Sequence, residues 1–383
     1  MSDFEQYLEQ IRTLTRDVFI PFEPQLEADG DVPEIIHDKI RQAGLYSISI
    51  PEKYGGLDLS MEQQVRLTME FTYASSVYRS VFSTSIGLCS QALLDFGTEE
   101  QIETYIPPMG RGECVGAFCL TEPEAGTDAG ALKTTAIRDG DNYVINGGKR
   151  YITNASVAGV LIVMAKTDPA AGRGKGISAI LVDPKTPGIN MSRMTNLLGQ
   201  RGTVLNEIEF TDCRVPVTNL VGEEEGLGLR AALRGINSAR THVAATAVGQ
   251  ATRILDEAID YATTRHQFDQ PIAEFGTIEA MIADSYVELK AAKEMTLAAA
   301  RGFDSGTIPT TDIMAAKYYA SEMVSRVADR GVQILGGKGF VENNIITQFY
   351  RDTRLFRLFE GASQIQQRNI ARALVKERSG EAS

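Results

Sequence analysis

The sequence contains few residues that bind metals or form disulfides. Among 383 residues there are four cysteines and three histidines. Cys89, Cys114, Cys119 and Cys213 show neither CxxC spacing nor a dense framework, and with three histidines a structural zinc site has few possible ligands. We therefore expect no metal site and a reducing compartment.

Positive charge is in the minority. Lys and Arg total 38 against 50 for Asp and Glu, which gives a net charge of −12. Such a chain repels a phosphate backbone instead of releasing its counterions. We expect no nucleic-acid partner.

Long apolar runs are also missing. The segment 157–165 is far shorter than the roughly 20 residues that span a bilayer. The first 14 residues are acidic and amphipathic, unlike a secretory signal peptide. These features predict a cytoplasmic protein without membrane insertion.

The remaining composition is that of a globular protein, with 43% hydrophobic and 23% charged residues. At roughly 150 residues per domain, the chain has room for two or three domains. From residue 3 to about 112, apolar residues recur at helical spacing, as in Phe4, Tyr7, Leu8 and Ile11. This segment is predicted to be helical.

The middle of the chain has a different pattern. From residue 113 to about 221 it contains short β-branched runs, such as GVLIVMAKT and ISAILVD, separated by turn residues. The pattern predicts antiparallel strands, with the loop 172–176 as a hairpin tip.

Long Ala-rich helices follow from residue 226. Their apolar stripes suit a helix bundle. We therefore predict an α+β multidomain protein with an N-terminal helical domain (1–113), a middle antiparallel β-domain (114–222) and a C-terminal helical bundle (223–383).

Two segments near the predicted sheet combine glycine with hydroxyl or aromatic residues. The turn FCLTEPEAGTD (118–128) could direct backbone amides at an anion or a heteroaromatic ring, or it could be an ordinary polar loop. In GGKRYITN (147–154), Tyr151 could stack on a flat cofactor while Thr153 donates a hydrogen bond, or Tyr151 could simply be packing.

Two further segments lie at predicted helix ends. Arg265 of RHQF offers a guanidinium suited to phosphate, although a solvated charge at a helix C-terminus is also common. The glycines of QILGGKGF (333–340) permit close approach of a ligand, and a helix cap explains them equally well.

One carboxylate, Glu360, stands in the apolar and cationic stretch RDTRLFRLFEGASQ. Burial there would raise its pKa toward that of a working base. Most carboxylates, however, are surface charges.

The order and spacing of these blocks resemble the flavin-dependent acyl-CoA dehydrogenases from about Ile11 to Leu374. The most specific blocks are TEPEAGTD, GGKRYITN, LGQRGTVLNEIEF with CRVP, RHQF, QILGGKGF, YRD and FEGASQIQ. The resemblance implies an N-terminal helical domain, a middle β-domain and a C-terminal four-helix bundle. It also implies a homotetramer with FAD at the domain junctions.

The resemblance assigns the following cofactor contacts. The flavin would be lined by Phe118, Leu120, Thr121, Gly126, Thr127, Tyr151 and Thr153. The pyrophosphate and adenosine side would be met across a subunit interface by Arg265, Phe268, Gln333, Gly336 and Gly337. Gly361, Ser363 and Gln364 would close the site.

The implied reaction is α,β-dehydrogenation of an acyl-CoA thioester, with electrons passing to an electron-transfer flavoprotein. A carboxylate removes the α-proton while a hydride leaves the β-carbon for the flavin. Glu360 matches this base. A branch of the family carries its base directly before the arginine that matches Arg240, where this chain has Ala239. Thr127, Asn237 and Arg240 are the implied substrate contacts near this base.

Several positions depart from the family pattern. Tyr151 stands for a usual tryptophan, Ala362 for a threonine, Asp269 for a glycine and Gly276 for a glutamine that helps to hold adenine. The change at Tyr151 is mild, because tyrosine keeps a stacking face, whereas the changes at Asp269 and Gly276 predict weaker FAD binding. Asn237 replaces an aspartate, which weakens the inference for the CoA nucleotide contacts.

The acyl group is suggested by the helix around SSVYRSVFS (75–83). It resembles the helix of glutaryl-CoA dehydrogenases that presents an arginine and a serine, here Arg79 and Ser83, to the far carboxylate of the substrate. An internal carboxylate such as Glu70 is the alternative partner of Arg79. The decarboxylating enzymes carry a glutamate where this chain has Thr72, so a dicarboxyl-CoA would be dehydrogenated without loss of CO2.

Other functions stay open at this level. Similar helices occur in relatives that oxidise polar acyl groups on an acyl-carrier protein, although the acidic chain gives little help to an acidic carrier. A catalytically silent flavin-binding scaffold is disfavoured by the retention of Glu360 and Tyr151. An oxidase that uses O2 would differ in access to the site.

Overall fold

Seven helices form the first part of the computed structural model, which describes residues 3–341 and 344–380. They are α1 (Asp3–Leu14), α2 (Glu23–Asp29), α3 (Glu34–Gln42), α4 (Met61–Phe71), α5 (Ser76–Thr84), α6 (Ser90–Phe96) and α7 (Glu99–Gly110). The helical prediction is confirmed. Residues 1, 2, 342, 343 and 381–383, which fall in the expected terminal domains, lie outside the described residues.

Local sequence determines where these helices begin. Ser60 caps α4 by accepting from the N–H of Gln63, whose side chain accepts from the N–H of Ser60 in return. Aromatic residues then join the helices, since the Phe19 and Phe71 rings meet edge to face with centroids 5.1 Å apart. The resulting apolar core holds α5 and its residue Arg79 in place.

Seven strands form one sheet in the middle of the chain. They are β1 (Gly116–Cys119), β2 (Thr135–Asp139), β3 (Asn142–Thr153), β4 (Val160–Lys166), β5 (Ile177–Val182), β6 (Ile189–Arg193) and β7 (Leu205–Pro216). The strand order is β1-β4-β2-β3-β7-β6, and β5 also pairs with β4. The loop 172–176 lies in the β4–β5 hairpin connection, as predicted.

The sheet is antiparallel as expected, with two exceptions. β1 runs parallel to β4, with Gly116 opposite Val160 and Cys119 opposite Val163, and β2 meets β4 in parallel at Thr135 and Lys166. Two strands joined by a hairpin must run antiparallel. The strands β1 and β4 are not joined by a hairpin, so they can pair in parallel.

Strand β4 is buried on both faces. Ile162 and Met164 face a core shared with the N-terminal helices and α8, whereas Leu161 and Val163 face the core of the sheet. A strand covered on both faces needs a continuous apolar run instead of alternation. This explains the uninterrupted sequence VLIVMA.

The last part of the chain is helical, with one small hairpin. Its elements are α8 (Gly228–Thr264), β8 (His266–Gln267), β9 (Gln270–Pro271), α9 (Gly276–Asp304), α10 (Thr310–Leu335), α11 (Lys338–Val341), α12 (Ile345–Asp352) and α13 (Ser363–Ser379). Helix α10 packs against α8, α9 and α13. The predicted C-terminal four-helix bundle is confirmed.

The predicted stripe of α8 lies in the bundle core. Val243, Ala247, Ile254 and Ala258 are all buried, and Tyr261 is half-buried. Within the described ranges, no helix has the length and apolar character needed to cross a membrane. The domain boundaries after residues 113 and 222 stay predictions.

Candidate active site

Glu360 lies in a turn between a short 3₁₀ helix (Thr353–Arg357) and α13. Its φ is 51°, and that of Gly361 is 92°, so two successive residues adopt left-handed backbone conformations. At Gly361 an added Cβ would lie 2.5 Å from Gln366 Nε2 and 3.3 Å from an Arg240 Nη atom. Glycine is therefore required in this turn.

Side chains from three helices hold the carbonyl groups of this turn. Arg240 Nε on α8 donates to Glu360 O at 3.0 Å, and Lys317 Nζ on α10 donates to Gly361 O at 2.8 Å. Gln366 Nε2 on α13 donates to both oxygens, at 3.0 and 3.1 Å. The backbone of Glu360 and Gly361 is thus held by hydrogen bonds from α8, α10 and α13.

Burial and nearby cations act in opposite directions on Glu360. Burial raises the pKa of its carboxyl group, while Arg240, Lys317 and Arg79 lower it, and the raised pKa prevails. The alternative that Glu360 is a surface charge is wrong, because the residue is half-buried among cations. A carboxyl group in this environment is suited to accepting a proton.

Arg79 and Ser83 lie one turn apart on α5, and both are half-buried. Glu70, the alternative internal partner, does not pair with Arg79, because its carboxylate accepts from Arg12 Nη2 at 2.9 Å and lies 3.7 Å from Arg16 Nη2. In residues 3–341 and 344–380, Arg79 has neither a hydrogen bond nor an ion pair.

The pKa of Arg79 is lowered by burial to about 10, and the Glu360 carboxylate opposes this shift. Burial lowers the pKa of His242 to about 3, and the positive charge of Arg79 adds to this effect. The ring nitrogens of His242 lie 3.1 Å from Gln64 Oε1 and 3.4 Å from Thr68 Oγ1. The Arg79 guanidinium therefore interacts electrostatically with both the neutral His242 ring and the Glu360 carboxylate.

Asn237 and Arg240 lie one turn apart on α8. Asn237 Oδ1 accepts from Arg240 Nη1 at 2.8 Å. In this structure Asn237 thus orients the guanidinium that holds Glu360, and its expected contact with substrate stays a prediction.

The loop after β1 is built around a buried ion pair. Lys149 Nζ lies 2.7 Å from Glu122 Oε1 and donates to Leu120 O at 3.2 Å. Glu122 and Ala125 exchange backbone hydrogen bonds, which closes the turn. The two motifs 118–128 and 147–154 are therefore neighbours. The binding of a ligand by this turn stays a prediction.

The predicted flavin contacts differ in exposure. Tyr151 is 53% exposed with a φ of 60°, and its ring faces the Arg150 guanidinium at 5.2 Å, so the ring lies outside the apolar cores and its stacking on a flavin stays a prediction. Phe118 is buried, and Thr153 is half-buried. The other predicted contacts are half-buried or exposed, namely Leu120, Thr121, Gly126 and Thr127.

The predicted adenosine contacts lie at the C-terminal ends of α8 and α10 or in the few residues that follow them. Arg265 follows the last residue of α8, and Phe268 is 89% exposed with a φ of 52°. Gln333 and Gly336 form the C-terminal cap of α10, since the N–H of Gly336 donates to Gln333 O. An added Cβ on Gly336 or Gly337 would meet nothing within 4 Å. In the described chain no hydrogen bond joins these residues to the flavin motifs.

Ser363 and Gln364 begin α13. Ser363 is buried, and its Oγ donates to Glu322 Oε1 at 2.6 Å, while Gln364 is exposed. Sequence reasoning missed Lys317 and Gln366. A signal for Lys317 was present, because it interrupts the apolar stripe of α10 formed by Ile313, Ala316 and Ala320.

No group of three or more His, Cys, Asp or Glu side chains in the described part of the chain is arranged to hold a metal ion. The absence of a metal stays an expectation.

Comparison with known proteins gives concordant matches along the chain. Three family models match, described as the acyl-CoA dehydrogenase N-terminal domain over residues 2–113, the middle domain over 117–213 and the C-terminal domain over 226–375. The chain is 38% identical over 378 residues to the caffeyl-CoA reductase–Etf complex subunit CarC of Acetobacterium woodii, covering 97% of this chain and 99% of that protein.

Two further proteins are similar over nearly the full length. The 3-(aryl)acrylate reductase of Clostridium sporogenes is 36% identical over 377 residues, covering 97% of this chain and 100% of that protein. A solved structure of a glutaryl-CoA dehydrogenase with glutaryl-CoA superimposes with a TM-score of 0.93 and 32% identity, covering 98% and 95% of the two chains.

Proposed function

We propose that this chain, which belongs to the acyl-CoA dehydrogenase family of FAD-dependent oxidoreductases, converts an acyl-CoA thioester to the 2-enoyl-CoA. The observation that carries the proposal is the placement of Glu360. The residue is half-buried, the pKa of its carboxyl group is raised by burial, and its backbone carbonyl accepts from Arg240. This is the arrangement of a positioned base.

The residues present fit FAD. An exposed Tyr151 ring suits a flat heteroaromatic, and the open space at Gly336 and Gly337 suits a close phosphate or ring. Arg265, at the end of α8, supplies a guanidinium for the pyrophosphate. When bound, FAD supplies the hydride acceptor for the reaction.

Glu360 would accept the proton from the carbon next to the thioester carbonyl. The cations around it favour its carboxylate form before the reaction, and burial favours the neutral carboxyl that results. Burial is the larger effect and the pKa is raised, which suits a group that accepts a proton.

The proposed acyl group bears an acid, and glutaryl-CoA is the working example. Arg79 supports this class, because its guanidinium has no carboxylate partner in the described chain and lies within electrostatic range of Glu360. The half-buried guanidinium of Arg79 would be stabilised by the carboxylate of such an acyl group when the substrate binds. With Thr72 in place of a second carboxylate, the reaction would stop at the enoyl product.

We further propose that electron-transfer flavoprotein accepts the electrons, since one relative is named as a subunit of an Etf complex. We also propose a homotetramer, in which the exposed Phe268 and the glycines after α10 would lie at a subunit interface.

Reduction of an enoyl-CoA is a second candidate, because two of the three proteins compared above are named as a reductase or as a subunit of a reductase complex. The same carbon–carbon bond is involved, and Glu360 would then return a proton instead of removing one. The direction would be decided by the electron partner.

The test is an anaerobic titration of the FAD-loaded protein with butyryl-CoA, glutaryl-CoA and aryl-propionyl-CoA, followed by flavin absorbance at about 450 nm. Bleaching by glutaryl-CoA but not butyryl-CoA supports the proposal, and Glu360→Gln is the control that should bind without bleaching. Turnover of a 2-enoyl-CoA with reduced electron-transfer flavoprotein as donor, together with no reduction of that flavoprotein by the acyl-CoA, would favour the reductase. If no thioester of CoA changes the flavin, a carrier-protein substrate or a silent scaffold becomes the better explanation.

A further inference from the structure

Lys317 is a charged residue inside the bundle. It lies on α10 between the buried residues Ala316 and Ala320, and its side chain is completely buried. Its ammonium group donates one hydrogen bond, to Gly361 O at 2.8 Å. Taking an ammonium group out of water is costly unless other groups compensate it.

The anions near Lys317 explain how this charge is tolerated. Glu322 lies five residues further along α10, but its carboxylate already accepts from Ser363 Oγ at 2.6 Å and from Arg357 Nε at 2.8 Å. Glu360 is the other anion, and in the described part of the chain its carboxylate has no ion-pair partner within 4 Å. Lys317 therefore contacts the Glu360 turn through Gly361 O, with Glu360 and Glu322 as the anions near its charge.

We infer that Lys317 is a positioning residue for the base, holding the Glu360–Gly361 turn through the Gly361 carbonyl and stabilising the Glu360 carboxylate through its charge. The inference rests on the role proposed for Glu360. It assigns the turn a second anchor on α10, in addition to Arg240 on α8.

The charged groups around the pair agree with this role. Glu360 faces Arg240 from α8, Lys317 from α10 and Arg79 from α5, and each of these cations lowers its pKa. Lys317 faces Glu360 and Glu322, which raise its pKa, and Arg240, which lowers it. Burial dominates and lowers the pKa of Lys317 to about 8, so the ammonium form prevails at neutral pH.

The experiment is an infrared titration of the FAD-loaded protein. The carboxyl C=O stretching band that disappears in Glu360→Gln reports protonation of Glu360 directly and needs no turnover. In Lys317→Met the midpoint of this band should move to higher pH by about one unit or more, because a cation near the carboxylate is gone. Lys317→Arg keeps the cation and should titrate like the wild type.

Two further variants separate charge from packing. Lys317→Gln keeps a donor for the Gly361 carbonyl but has no charge, so it should shift like Lys317→Met, and it replaces that variant if methionine prevents folding. Arg326→Met is the matched control, because it removes a cation from the same helix where Glu288 binds it at the surface. Its midpoint should equal that of the wild type.

A midpoint in Lys317→Gln that coincides with the wild type would overturn the inference, as would an equal shift in Arg326→Met. The kinetics provide a second readout, since the acid limb of kcat/KM should move with the infrared midpoint. If the midpoint moves but no acyl thioester reduces the flavin, the proposed function fails and the relation between Lys317 and Glu360 holds. If thioesters reduce the flavin and the midpoint stays, only the inference fails.

Discussion

Lys149 Nζ lies 2.7 Å from Glu122 Oε1, and both side chains are almost completely buried. The Glu122 carboxylate also accepts from the backbone N–H groups of Lys133 and Thr134. The pair joins the loop after β1 to strand β3, so the two predicted flavin motifs depend on one another.

Lys149→Met should destabilise the protein by about 3–5 kcal/mol, because it leaves the buried Glu122 carboxylate without a counter-charge. The measurement is the thermal midpoint of the FAD-loaded protein, together with the temperature at which flavin is released. Lys133→Met removes an exposed lysine that binds Glu124 in the same loop and should leave both temperatures nearly unchanged. Equal midpoints for the two variants would argue against the structural role of the pair.

Glu360→Gln should retain FAD but lose turnover by about 10²–10⁴-fold or more, because the amide cannot take the α-proton. Steady-state rates with an artificial electron acceptor measure this loss. Glu103→Gln, an exposed carboxylate on α7, serves as the control. Normal turnover of Glu360→Gln would show that another group is the base.

Gly361→Ala should lower turnover about 10- to 100-fold, because a side chain at a φ of 92° strains the turn and shifts the base. Gly140, in the β2–β3 turn, has a φ of 62°, and an added Cβ there would have no atom within 4 Å. Gly140→Ala therefore imposes a similar backbone strain away from Glu360. It should lower the thermal midpoint without changing kcat. A comparable loss of kcat in both variants would mean that the effect is global.

Arg79→Met should lower kcat/KM for glutaryl-CoA about 10- to 100-fold more than for butyryl-CoA, because only the former loses a charge-assisted hydrogen bond. The ratio of the two kcat/KM values is the measurement. Arg66→Met removes a cation from the neighbouring helix α4, where Glu5 binds it, and should leave the ratio unchanged. An equal loss for both substrates would indicate that Arg79 acts on Glu360 instead of on the acyl group.

The carboxyl group of Asp352 should lower the free energy of unfolding as pH rises from about 4 to 7. Burial raises its pKa from 3.8 to about 7, so between these values the folded protein binds a proton that the unfolded chain releases. Its contribution is complete below about pH 4 and is lost as pH rises toward 7. Asp352→Asn removes this dependence while keeping an acceptor for the N–H of Gln200.

The free energy of unfolding of Asp352→Asn minus that of the wild type should therefore rise between about pH 4 and 7, by up to about 1.4 kcal/mol per pH unit. Taking the difference removes the opposite contribution of His242, whose pKa is lowered. Denaturant melts at several pH values measure it. A difference that stays constant with pH would contradict the raised pKa.

Much of the architecture could be predicted because it is encoded locally. Val243, Ala247 and Ile254 recur at the helical period and are buried along α8 as expected. The pairing of β1 with β4 could not be predicted in the same way. It joins residues about 44 positions apart, and a run such as VLIVMA indicates burial but not strand direction.

The sequence alone determined the order of helices, sheet and helices, the family, and the choice of Glu360 as the candidate base, because periodicity and short motifs are properties of neighbouring residues. Only the tertiary structure decided which charges meet. Glu70 is bound by Arg12 across two helices, which leaves Arg79 unpaired among the described residues, and Lys317 reaches a carbonyl 44 residues away. These encounters depend on how helices pack, and packing also sets the burial that shifts the pKa of each group.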